Sequence, residues 1–347
     1  MNKKKKVVIY AAGWMGDNIM LNSLMLELKR NNDIHLTIFN PHKSFTGLFE
    51  KMPVIDEIIN FSIPKKKLSL KSRYKAAKIL QKHNFDEIIF APNTLKAGLI
   101  GCLARIKKRT GWHGEGRLFM LNNRLKNVTR YTTMVERYVA LAYNHNNDKV
   151  QYNTCQLPVL KGDKANSIKL FRKFRITSNN KQNIMLCPGA AYGETKRWPS
   201  KKFSDLINIL SQQKYNIHIL GGPQEQDIAA EIIKLCGSDT VMNWVGKLSI
   251  AESIDVMSRM DCVVANDSGL MHMAAALEVP IVAIYGATKP SFAPPLSKKA
   301  KSVWDEISCR PCKSRVCPLS HLDCLNNIAA GVIKTNIEKL LNGDNIL

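Results

Sequence analysis

The feature that most limits how this chain can fold is an alternation of short buried strands with amphipathic helices. Nearly every strand runs into a polar or glycine-bearing loop. The second half shows it best. Strands at Asn183–Cys187, Asn216–Leu220, Asp261–Ala265 and Pro280–Tyr285 end in PGAAYGETKRWP, GGPQE, NDSG and YGATKP. Helices are predicted at Lys201–Gln213, Gln226–Cys236, Ile250–Ser258 and Gly269–Leu277. A strand followed by a helix and another buried strand implies a parallel sheet, because the helix must carry the chain back. The first half repeats the pattern, with strands at Val7–Ala12, Ile34–Phe39 and Asp86–Phe90. Its helices fall near Asn18–Arg30, Tyr74–His83, Leu95–Ala104 and Met134–Tyr143. A polar stretch, Asn144–Asp148, and the loose pattern through Lys164 place a linker between the halves. With 347 residues the chain exceeds one ordinary core, so two α/β domains are expected, 1–160 and 161–325.

Ligands of open parallel sheets bind beyond the carboxyl ends of the strands, so four such loops in one half predict a pocket there. The first residues, MNKKKKVVIY, carry too short an apolar run for a signal peptide, and no segment reaches the roughly 20 apolar residues of a membrane span. A cytoplasmic location is the expectation. The net charge is +23, from 51 Lys plus Arg against 28 Asp plus Glu, which favours anionic partners: nucleic acid, anionic lipid or phosphorylated sugars. No nucleic-acid module or aromatic-basic interleaving accompanies the charge, which argues against nucleic acid.

Four loops carry residues suited to chemistry. Asp17 closes Gly13-Trp14-Met15-Gly16-Asp17 after the first strand, as a helix cap or as a general base kept ionised by the helix N-terminus. Asp267, Ser268 and Gly269 precede a helix whose free amides suit an anion. His272 follows one turn on, as a core or a site histidine. Lys196 and Arg197 sit in the long glycine-bearing loop, where their charge suits a diphosphate. Glu225 after Gly221-Gly222 can cap a helix or bind two ribose hydroxyls. Neither G-x-x-x-x-G-K-[ST] nor G-x-G-x-x-G is present, which disfavours a Walker nucleotide site and a dinucleotide-dependent oxidoreductase.

Together these stretches resemble the ADP-heptose:lipopolysaccharide heptosyltransferases of glycosyltransferase family 9. The matching segments are GWMGD (13–17), APNTLKAG (91–98), RTGWHGEGR (109–117), MVERYVALAY (134–143), CPGAAYGETKRWP (187–199), NDSGLMHMAAAL (266–277) and VAIYGATKPSFAPPLS (282–297). RTGWHGEGR and PGAAYGETKRWP point to the branch that adds the second core heptose, with another member of the family, acting at the first or a later core heptose, as the alternative. The resemblance implies a GT-B fold, two Rossmann-like domains facing a central cleft. The N-terminal domain would bind acceptor and the C-terminal domain ADP-heptose, with residues 326–347 as a helix crossing back. It implies inversion in one displacement with no cofactor or metal required for catalysis. It also implies Asp17 as base, Lys196 on the diphosphate, Asp267 at the donor sugar, Ser268 and Gly269 at phosphate, His272 in the cleft and Glu225 at the ribose. The implied acceptor is Kdo-lipid A bearing the first heptose, reached by a peripheral enzyme at the anionic inner face of the inner membrane. Lys96, Arg109, Arg117, Arg130 and the stretch Lys65–Arg73 are candidate acceptor contacts.

The chain holds nine cysteines. Five are scattered, and the other four form a late cluster, Cys309-x2-Cys312-x4-Cys317-x6-Cys324, with His321 nearby. Structural zinc, reduced thiols and redox-active or disulfide pairs are all compatible with this spacing.

Overall fold

The computed structural model describes residues 4–343, apart from 65–67, 144–149, 175, 177–180, 213–214 and 238–240. The expected linker at Asn144–Asp148 and the lysines Lys65, Lys66 and Lys67 lie outside the described residues. Two compact units result, the first ending at Val159 and the second beginning at Leu160.

The first unit carries a six-stranded sheet of β1 (Lys5–Tyr10), β2 (Ile34–Asn40), β3 (Glu57–Asn60), β4 (Glu87–Phe90), β5 (Lys108–Trp112) and β6 (Asn123–Leu125). Its helices are α1 (Met15–Asn31), α2 (Thr46–Phe49), α3 (Leu70–Lys82), α4 (Leu95–Leu103) and α5 (Met134–Val139). The second unit holds β7 (Asn183–Cys187), β8 (Asn216–Ile219), β9 (Met242–Asn243), β10 (Cys262–Asn266), β11 (Ile281–Ile284) and β12 (Ala300–Val303). Around them lie α6 (Lys164–Lys173), α7 (Ser200–Ser211), α8 (Gln226–Cys236), α9 (Ile250–Met257), α10 (Gly269–Ala276), α11 (Asp323–Asn326) and α12 (Ala330–Leu341).

The strand orders are β3-β2-β1-β4-β5-β6 and β12-β11-β10-β7-β8-β9, and every pairing is parallel. The strand order therefore reverses once in each sheet, between β1 and β4 in the first unit and between β7 and β10 in the second. Loops leaving neighbouring strands at such a point diverge to opposite faces and open a crevice at the carboxyl edge, the usual ligand position in this class of sheet.

Both cores follow from the sequence pattern. β4 and β7 are buried on both faces except at Asn183, as strands covered by helices on two sides must be. In the first unit Ala76, Ala77 and Leu80 of α3, with Ala97 and Ile100 of α4, pack on Val8, Ile88 and Phe90. Ser249 and Glu252 form a capping box that starts α9, and Thr133 and Glu136 do the same for α5. Ile333, Ile337 and Leu340 of α12 are buried in the second unit's own core, packed with α7, β10, β11 and β12. No helix among the described residues is long and apolar enough to cross a membrane.

Candidate active site

The turn after β1 is locked by a buried asparagine. Asn18 accepts from the Ala12 amide at 2.8 Å and donates to the Ala12 carbonyl at 3.1 Å, folding Gly13–Gly16 into a tight connection. Trp14 is the N-cap of α1, and Asp17 lies one turn inside the helix start, half-buried. Asp17 therefore is not the capping residue. It sits beside the first sheet's reversal point, where the helix N-terminus favours its charge. Tyr138 of α5 faces it. Burial, and then the Asp17 carboxylate, push the Tyr138 phenol well above its usual range.

The second unit gathers more of the expected residues at its own reversal point. Lys196, from the loop after β7, pairs with Asp267, from the loop after β10, at 2.6 Å. Both side chains are largely buried, and Thr288 after β11 donates to the same Asp267 carboxylate at 2.5 Å. Asn266 ties the two loops together, donating to the Pro188 carbonyl at 2.7 Å and accepting from the Trp198 amide at 3.1 Å. Ser268 is the N-cap of α10 but makes no capping bond, and its hydroxyl is buried without a partner among the described residues. A buried hydroxyl at a helix N-terminus beside a Lys–Asp pair has the donors that suit an anionic ligand.

Glu225 accepts from the Gly222 amide and so closes a short capping turn after β8. Burial raises its pKa, against the Gly222 amide and the charge of Arg197. Its carboxylate lies against Gly189 and Gly221, at the ends of β7 and β8. The capping function is thus realised at the ends of β7 and β8.

The sequence model of glycosyltransferase family 9, the heptosyltransferases, matches residues 73–323. Lipooligosaccharide heptosyltransferase 2 of Haemophilus influenzae is 33% identical over 305 residues, covering 85% of this chain and 87% of that one. Lipopolysaccharide heptosyltransferase 2 of Escherichia coli K12 is 31% identical over 312 residues, covering 86% and 87%. The solved structure of the Escherichia coli ADP-heptose lipopolysaccharide heptosyltransferase II superposes with a TM-score of 0.85 at 26% identity, over 98% of this chain and 100% of that one.

The chain belongs to glycosyltransferase family 9.

Its two parallel α/β units are those of the GT-B class to which that structure belongs. In this family 9 transferase His272 is buried in α10 and faces Asp267 and Lys196. Burial pushes its pKa down to about 4. His218 of β8 is likewise lowered to about 4 by burial, with Nδ1 accepting from the Trp244 indole at 3.0 Å. Both imidazoles are neutral in the fold, and in the unfolded chain they take up a proton below about pH 6.5. Stability should therefore decline as pH falls from about 6.5 towards 4, where the unfolded state binds more protons. Thermal melts at pH 7 and pH 5 check this, and an unchanged melting temperature would mean that neither ring is held neutral.

The cysteine cluster lies against the loops that follow β7 and β11. Cys309, Cys312, Cys317 and Cys324 line one small cavity with Thr195, Ala287 and His321. Structural zinc is not supported: among the described residues no group of three or more His, Cys, Asp or Glu side chains could hold a metal ion. The sulfurs also stand in unlike surroundings. Burial, reinforced by the three other thiols, holds Cys324 protonated with a pKa of about 11, whereas backbone amides from Leu319 to Leu322 lower that of Cys317. All nine cysteines are free thiols.

The strap that bears them braces the loop after β7. Tyr192 donates to the Lys313 carbonyl at 2.5 Å, Thr195 to the Ser314 carbonyl at 2.5 Å, and Glu194 accepts from the Cys317 amide at 3.1 Å. A Cβ at Gly193 would strike the Arg315 carbonyl, so this contact needs glycine. Lys196 and Arg315 both lie over the Tyr192 ring, at 5.0 and 5.4 Å from its centroid.

The acceptor candidates fare unevenly. Arg117 is only 2% exposed and spends its guanidinium on the Pro92 and Trp112 carbonyls and on Asn93, so the acceptor assignment for it is corrected to a buried brace. Arg109 donates to the Met120 carbonyl at 2.8 Å and the Ile106 carbonyl at 2.7 Å, which gives it the same bracing work. Arg73 is buried and binds the Leu68 and Lys96 carbonyls, both at 2.6 Å. Lys96 is half-buried at the start of α4, and Arg130 is exposed. Sequence reasoning missed Thr288, Asn266, Tyr192 and Arg315. Thr288 and Asn266 sat in or beside loops already singled out by their glycine and polar content, while nothing local linked residues 313–317 to the loop after β7.

Proposed function

We propose that this enzyme transfers L-glycero-D-manno-heptose from ADP-heptose to the first heptose of the lipopolysaccharide inner core, with inversion at the anomeric carbon. The observation that carries the donor half is the Lys196–Asp267 pair beside the unpartnered Ser268 hydroxyl at the α10 N-terminus. Likeness over 85% of the chain to proteins named heptosyltransferase 2 supports the second-heptose step. In the reaction the bond from the anomeric carbon to the diphosphate oxygen breaks, and its electron pair leaves with ADP. The acceptor hydroxyl oxygen bonds to that carbon from the opposite face, and its proton passes to the Asp17 carboxylate. Lys196 and the amides of Ser268 to Leu270 meet charge as it grows on the departing diphosphate. Asp267 and His272 face the sugar, and Glu225 faces the ribose. Because His272 is neutral, it acts as a hydrogen-bonding group and not as a second cation.

Both substrates are anionic, the kind of partner that the net charge of +23 favours. The reading extends to a cytoplasmic enzyme, peripheral at the inner face of the inner membrane, where Kdo-lipid A bearing its first heptose is presented. The test is release of ADP from ADP-heptose. Turnover should require lipopolysaccharide that carries one core heptose and lacks the second. Equal turnover with heptose-free Kdo-lipid A would move the enzyme to the first-heptose step, and no turnover with either would sink the assignment.

A further inference from the structure

The first unit carries a group of large apolar side chains that its own core does not use. Leu68, Leu70 and Tyr74 lie at the start of α3, Leu95 at the start of α4, and Leu118 and Phe119 in the turn between β5 and β6. Leu68, Leu70, Tyr74 and Leu95 lie on segments at the carboxyl edge of the first sheet, Leu118 and Phe119 on the segment that runs back beside α4 towards β6, and all six are exposed, Phe119 at 93%.

These segments are fastened to one another. Arg73 joins the α3 start to the α4 start by donating to the Leu68 and Lys96 carbonyls at 2.6 Å. The Leu95 amide donates to Glu115 at 3.0 Å, joining the α4 start to the β5–β6 turn. That turn is held from beneath by the buried Arg117, which bonds the Pro92 and Trp112 carbonyls. Phe119 is thus displayed on a braced turn. Exposed apolar residues collected on braced, neighbouring segments mark an interaction surface, whereas single exposed ones need no explanation.

The charges around this rim decide what it meets. Lys71, Lys75 and Lys78 are exposed on α3, Lys96 is half-buried on α4, and Arg124 is exposed and donates to the Leu118 carbonyl at 3.1 Å. Glu115 is the one acid within 68–78, 93–98 and 113–124, and it is engaged by the Leu95 amide. Apolar side chains ringed by lysine and arginine match the surface of an anionic bilayer, where rings and leucines enter the acyl boundary while cations meet headgroup phosphates.

We infer that the rim formed by Leu68, Leu70, Tyr74, Leu95, Leu118 and Phe119, with its surrounding cations, is a docking surface for an anionic lipid bilayer. This rests on the proposed lipid-borne acceptor. It goes further in assigning the attachment to named side chains and in making it partly apolar, so that salt alone does not abolish it.

The experiment is cosedimentation of the full chain with vesicles of phosphatidylcholine alone or of equal parts phosphatidylcholine and phosphatidylglycerol. No sugar acceptor is present. The wild-type chain should bind the mixed vesicles and retain part of that binding at 1 M salt, where screening shortens to about 3 Å. Replacing Leu118 and Phe119 by serine should weaken binding roughly ten- to a hundredfold, the scale of burying one phenylalanine. Leu70→Ser, on a different element, should act in the same direction and guards against a local folding defect. All variants should keep wild-type ADP affinity, and wild-type kcat/KM on a delipidated, water-soluble core acceptor. Wild-type vesicle binding by the serine variants would overturn the inference, as would binding lost completely in salt. Patch-dependent vesicle binding without transfer to any heptose acceptor would leave the docking surface standing and remove the proposed function.

Discussion

Asp17→Asn should lower kcat by about a hundredfold or more, the usual scale of losing a general base. Affinity for ADP should stay close to wild type. Asparagine keeps the shape of the side chain and removes the group that would take the proton. Asp17 lies in the first turn of α1, in the first unit, whereas the residues assigned to ADP all sit on loops and helix starts of the second unit. Folding should tolerate the change, because the side chain is half-buried and does not cap the helix. Its interaction with the helix dipole is worth only about 0.3–1 kcal/mol. ADP release at saturating donor and acceptor gives kcat, and calorimetry with ADP gives the affinity. Turnover near wild type would reduce Asp17 to a charge that complements the α1 N-terminus.

Lys196→Ala should damage both binding and turnover. The ammonium would meet the diphosphate in the bound donor and again, more strongly, as ADP departs. A charge-assisted contact of about 1.5–3 kcal/mol corresponds to roughly ten- to a hundredfold in ADP affinity. Loss of transition-state stabilisation should add a fall in kcat on the order of a hundredfold. The pair with Asp267 complicates the substitution, since its partner is left largely buried with only the Thr288 hydroxyl. Lys196→Ala with Asp267→Asn separates the effects: it should recover stability and still bind ADP weakly. Wild-type ADP affinity in the single variant would take Lys196 out of the diphosphate site.

What the sequence showed and what it hid follow from burial. β1, β4, β7, β10 and β11 are central, and their near-continuous apolar runs were readable. β5 opens on Lys108 and Arg109, one paired with Glu87 and the other turned to nearby carbonyls, so its run reads as polar. β12 is a half-buried edge strand reading AKSV, and β9 has two residues. Neither is long enough to show a period. α1 begins at Met15, three residues before the expected start, because Trp14 takes the cap position. The loops that carry the site were legible because strand ends in this fold are where ligands go. The pairing of Lys196 with Asp267 and the burial of Arg117 were not, because both depend on packing between segments far apart in sequence.

The dependence of Tyr192, Glu194 and Thr195 on residues 313–317 has a consequence for how the protein is made. Every strand of the second sheet has been synthesised once Val303 has left the ribosome. At that stage the loop after β7, which carries Lys196, still lacks the carbonyls and the amide that hold it. The proposed nucleotide site is therefore among the last parts of the molecule to mature, and a nascent chain with a finished second sheet has no braced place for the ADP proposed to bind there.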